Sequence, residues 1–165
     1  MHDSERRNDI YYVCCMIEFT SRKTKNHRGA VARRLGIEGI KQELSDAAVS
    51  HCLSFEEIAE DWTLRYAIAD GDFDTVSTCR YEVPSVTSIG RVYLRLAESI
   101  PDDVPDEERI LRVFTSFISD AISDFNTSVY YSNPDYLQCS FEEGRLLDFD
   151  QTLIRCDLLM RSWPF

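Results

Sequence analysis

The run from Asp106 to Phe125, "DEERILRVFTSFISDAISDF", constrains the fold more than any other stretch of this chain. Ile110, Leu111, Phe114, Phe117, Ile118, Ala121, Ile122 and Phe125 recur at helical intervals. That spacing gathers them on one broad face of a helix, whereas strand side chains alternate every second residue. The stripe is wide enough for the central helix of a bundle. Asp106, Glu107 and Glu108 complement the positive end of the helix dipole, so a helix over 106–125 is expected.

Similar stripes recur upstream. Ile10, Val13, Cys14 and Ile17 predict a helix from Asp9 to Lys23, capped by Asn8 or Asp9. "AVARRLG" predicts a short second helix ending at Gly36, and Ile37, Ile40, Leu44, Ala47, Ala48 and Cys52 a third. Ser54 and Glu57 form the Ser-x-x-Glu pattern of a capping box and start a fourth, with Phe55, Ile58, Ala59, Trp62, Tyr66 and Ala69 inward. "DGDFD" at 70–74 ends it. Ile89, Val92, Tyr93, Leu96 and Ile100 mark another, capped by Ser85 or Thr87.

The fold class is therefore mainly α: a helical bundle of about six to eight helices. A short β element has room around 75–83, where Pro84 restricts it to an edge, or in the C-terminal segment. There Asn133–Gly144 and Asp150–Arg161 read equally as two helices or as strands around Gly144. A chain of 165 residues fits one domain, and "PDDVPDEE" marks the best internal division, near 101–106, if there are two subdomains.

Acidic residues outnumber basic ones 29 to 18, for a net charge of −11. The excess is not spread evenly. Residues 1–40 carry eight Lys or Arg against five Asp or Glu, and the rest of the chain ten against twenty-four. Arg22, Lys23, Lys25, Arg28, Arg33 and Arg34 form a basic block with no acid among them. Such a block can dock phosphate, but so acidic a remainder repels nucleic acid, and no nucleic-acid-binding signature accompanies it. Contact with the protein's own acidic half, or with an acidic partner, is the favoured use.

The apolar run Ile10–Ile17 stops at Glu18 and a basic block follows, which is neither a secretory leader nor a membrane span. The six cysteines lack CxxC pairs and regular spacing, and read as reduced thiols in a cytoplasmic protein. A zinc site from Cys14, His51 and Cys52 lacks ligand-pair spacing, so no metal or cofactor is expected. "DGDFD" lacks the later ligands of a calcium loop. No phosphate loop, nucleophile elbow or HExxH is present.

Two polar surfaces are candidate binding sites. Asp120 and Asp124 share a helix face with Ser116, Ser119 and Ser123. Beyond them, "FNTSVYYSNPDYLQCS" concentrates Tyr130, Tyr131, Asn133 and Tyr136, residues suited to recognition and equally to packing with a wet hydroxyl.

The first sixty residues resemble a family of small uncharacterised bacterial helical domains found near toxin–antitoxin-type genes. The similarity lies in Val13, Cys15, Ile17, Glu18, Gly29, Gly36, Ile37, His51, Glu60 and Asp61, and covers about a third of the chain. It implies an antitoxin-like role. With the acidic composition, the expectation is a non-catalytic protein-binding module, antitoxin-like or inhibitor-like, acting on a partner protein of basic character. The alternatives are a small enzyme working on a nucleotide or protein through the carboxylates and tyrosines of the C-terminal half, and nucleic-acid binding through residues 22–34. Oligomeric state is not specified by any of these features.

Overall fold

A computed structural model describes residues 2–148. They form a helical bundle: α1 (His2–Thr24), α2 (Arg28–Ser50), α3 (Phe55–Arg65), α4 (Val86–Glu98), α5 (Asp106–Thr115), α6 (Phe117–Ser123), a 3-10 turn (Val129–Tyr131) and α7 (Pro134–Glu143). No strand occurs among the described residues. The segment 75–83 is a series of turns, because Asp74 draws its amides into a local cap: the carboxylate accepts from the Val76 and Ser77 amides at 3.2 and 3.0 Å. Those bonds, with one from the Ser77 hydroxyl, hold the Asp74 carboxyl down at about 2. The alternatives for Asp150–Arg161 lie outside the described residues.

The helix at the centre is α1, which packs on α2, α3 and α4. Val13, Cys14, Met16 and Ile17 have no exposure, and burial is unbroken from Tyr12 to Glu18. A helix buried all round needs neighbours on every side. α4 comes closest: a β-carbon at Gly90 would lie 2.3 Å from Cys15 Sγ and 3.2 Å from its Cα. Glycine is required there by proximity, and the contact lowers the reach of the Cys15 thiol into chemistry, since burial raises it to about 11.

The expected helix over 106–125 is two helices. Ser116 is extended (φ −80°, ψ 166°) and separates α5 from α6. Two neighbouring hydroxyls favour the break: Thr115 Oγ1 donates to Leu111 O at 2.6 Å and Ser116 Oγ to Val113 O at 2.7 Å. Such back-bonding competes with the helix ladder. Conversely, the second and third expected helices run together as α2, bent at Gly36, whose φ of 66° only glycine adopts readily. The Ser54–Glu57 capping box is complete, Ser85 caps α4, and Asn133 with Pro134 opens α7.

A buried ionic cluster locks the bundle. Glu18, on α1, and Arg28, the first residue of α2, both have side chains with no exposure. Arg28 Nε and Nη2 donate to Glu18 Oε2 and Oε1, each at 2.8 Å, and Arg22 Nε adds a third bond to Oε1 at 2.8 Å. Arg22 Nη1 reaches Pro84 O at 2.8 Å, which fixes the loop leading into α4. Both guanidiniums face the Phe125 ring, at 4.8 and 5.7 Å from its centroid. Burial pushes the Glu18 carboxyl up, but the charges and hydrogen bonds of Arg28 and Arg22 outweigh it and hold the group below its ordinary value.

Glu18→Gln leaves two guanidiniums without their counter-charge, and about 3–5 kcal/mol of stability at pH 7 should be lost in urea unfolding. Because the folded-state pKa is the lower one, the carboxylate's contribution is complete above the unfolded-state value of about 4.3 and fades as pH falls through the folded-state value. The stability gap between wild type and Glu18→Gln should therefore narrow below about pH 4.

Candidate functional site

The tyrosine-rich segment folds into one wall of a groove whose other wall is α4. Phe125 is its anchor: 2% exposed, it meets Tyr130 edge-on at 5.8 Å, and Tyr130 meets Tyr131 edge-on at 4.9 Å. The intervening turn is set by Asp124, whose carboxylate accepts from the Asn126 amide at 3.1 Å while its carbonyl accepts from the Thr127 amide at 3.1 Å. Asn126 then bridges to the neighbouring loop, accepting from the Arg80 amide at 2.8 Å and donating to Thr78 O at 3.0 Å. Tyr136 ties the far end down by donating to Leu147 O at 3.0 Å. Burial, and then Tyr131 beside it, raise the Tyr130 phenol.

Two hollows share Ser88 and Val92 of α4. One, of about 140 Å³, has an apolar floor of Val92, Leu96, Pro134 and Leu137 under a rim of Arg91, Arg95 and Gln138. The other, an open trough of about 520 Å³, runs from Glu82, Val83 and Pro84 past Ile89 to Tyr130 and Tyr131. Tyr131 is the most exposed of the aromatic residues here, at 68%. Asn133 is exposed too, but its side chain is committed to the α7 cap, accepting from the Asp135 amide at 2.9 Å.

The predicted binding residues thus separate. Tyr130 and Tyr131 line the trough, Tyr136 and Asn133 brace the wall behind it, and Asp124 shapes the turn. Asp120 lies elsewhere, 2.8 Å from His27 Nδ1, with the His27 ring stacked on Phe73 at 3.7 Å. Neither hollow is lined by Asp120, Asp124 or Asp135.

The basic block is not a continuous cationic face. Arg22 and Arg28 are spent in the buried cluster, Lys23 pairs with Glu56 and lies 3.5 Å from Glu60, and Lys25 lies 3.6 Å from Asp74. Arg33 reaches Thr115 O at 3.5 Å, and Arg34 is exposed. Cys14 is fully buried whereas Cys52 is exposed, and the described residues contain no cluster of three or more His, Cys, Asp or Glu able to hold a metal. No described helix is long and apolar enough to cross a membrane.

Sequence reasoning passed over Arg91 and Arg95. The available signal was their i, i+4 spacing, which makes two like charges neighbours on one helix face at a small cost in stability. No protein-family model, no curated protein and no solved structure matches this chain.

The two aromatic roles can be told apart by stability. Phe125→Ala should cost about 3–5 kcal/mol in chemical denaturation, since it empties a packed site. Tyr131→Ala should stay within about 0.5 kcal/mol of wild type, as expected for an exposed residue free of structural duty.

Proposed function

We propose that this chain is a protein-binding module that receives a segment of another protein in the groove between α4 and the 129–138 wall. The observation that carries this reading is the presentation of Tyr131. A large aromatic side chain is left exposed beside an apolar hollow, on a wall held by Phe125, the Asn126 bridge and the Tyr136 hydroxyl. Aromatic contact area next to an apolar hollow that a partner can fill is what binding hot spots use. Rigidity matters because ordering a wall at the moment of binding would subtract from affinity.

An antitoxin-like or inhibitor-like role fits such a module, and the resemblance of the first sixty residues supports it. The captured protein would then be the one whose activity is restrained.

A photo-reactive benzoylphenylalanine placed at Tyr131 in cells that naturally make the protein tests the reading. A discrete cross-linked polypeptide is expected from position 131 and not from Leu64, a still more exposed position on α3. The same adducts from both positions, or none from 131, would contradict it.

A further inference from the structure

The lining of the smaller hollow points to the chemistry of its occupant. In a chain with 29 acidic residues against 18 basic ones, this pocket is bordered, among the described residues, by two arginines and no carboxylate. Seven other arginines, Arg6, Arg7, Arg22, Arg28, Arg65, Arg109 and Arg112, have carboxylate partners within the described residues, while Arg33, Arg34 and Arg80 have none there but border neither hollow. Arg91 instead rests over the Tyr11 ring at 5.8 Å, and Arg95 has no carboxylate partner among the described residues. Glu98, the acid nearest Arg95 along α4, is occupied by Arg7.

Two guanidiniums one helical turn apart repel each other, and an anion seated between them relieves that repulsion. Beneath them the floor is apolar, and about 140 Å³ is room for a single aliphatic or aromatic side chain rather than for a drug-sized molecule. The adjoining trough gives the rest of a chain a path over Tyr131, and because Glu82 lines its far end, the acidic part of that chain belongs at Arg91 and Arg95. Resting on the reading of the groove as a protein-binding site, we infer that the partner segment is acidic: it sets one apolar side chain on Val92 and Leu137 and its flanking carboxylates on Arg91 and Arg95. The sign is opposite to the one that the protein's total charge suggests. At physiological salt charges farther than about 8 Å away are largely screened, so the groove's own charges, rather than the net charge, decide what docks.

Random displayed peptides of about twelve residues, selected on the immobilised full chain, provide the probe. Enriched sequences should carry Asp or Glu beside Leu, Ile or Phe. Synthetic copies should bind an R91E/R95E variant about tenfold more weakly, the effect of losing two exposed ion pairs. That variant should keep the wild-type thermal midpoint, because both side chains are exposed.

Enriched peptides without acidic bias, or acidic ones held equally by R91E/R95E, would overturn the inference. If such peptides are still displaced by Gln138→Trp, which fills the hollow, the groove stands as a binding site and only its charge preference falls. Peptides indifferent to both variants would remove the binding site as well. An RNA oligonucleotide bound through the same two arginines, or a cross-linker at Gln138 joining residues 149–165 of the same chain, would also overturn the inference by naming another occupant.

Discussion

The structure depends on a carboxylate placed where no carboxylate is stable alone. Glu18 lies at the end of the unbroken buried run of α1, and removing its charge from water would cost several kcal/mol without compensation. Arg28 and Arg22 supply that compensation, and each also joins another part of the chain. Arg28 starts α2, Arg22 holds the Pro84 carbonyl at the entrance to α4, and both lie against Phe125. Phe125 in turn positions Tyr130, and Tyr130 positions Tyr131. A single line of contacts thus runs from the bundle centre to the groove wall.

That line couples the basic block to the tyrosine segment. A run of six cations looks like a surface when only its composition is known. Here Arg28 is buried and Arg22 largely so, and the aromatic ring they face belongs to the segment that presents the groove. The local charge of that groove comes instead from α4, where Arg91 and Arg95 are the cations beside the apolar hollow.

Much of the fold was legible because it is written in local chemistry. The Ser54–Glu57 box, the Ser85 cap and the Asn133–Pro134 start each rest on residues within one helical turn, and each holds. The Arg22–Glu18 pair, at i, i+4, is local too, yet Arg22 read only as part of the basic block. What was hidden depends on distant partners. The Arg28–Glu18 pair spans ten positions and a chain reversal, and the burial of α1 on every side comes from neighbours its own periodicity does not announce. The break at Ser116 was masked because the apolar stripe continues across it while the hydroxyls of Thr115 and Ser116 take backbone carbonyls. At the groove, the tyrosines stood out by composition, whereas Arg91 and Arg95 gained meaning only when α7 closed over α4.

The central claim is that Glu18 is bound inside the protein by both arginines at once. Nitrogen-15 NMR of the arginine side chains measures this directly. Two Nε–H signals assigned to Arg22 and Arg28 should exchange slowly with water at neutral pH, couple to the Glu18 carboxylate and show contacts to the Phe125 ring. Fast-exchanging, averaged signals from these two arginines, like those of a solvated side chain, would contradict the account.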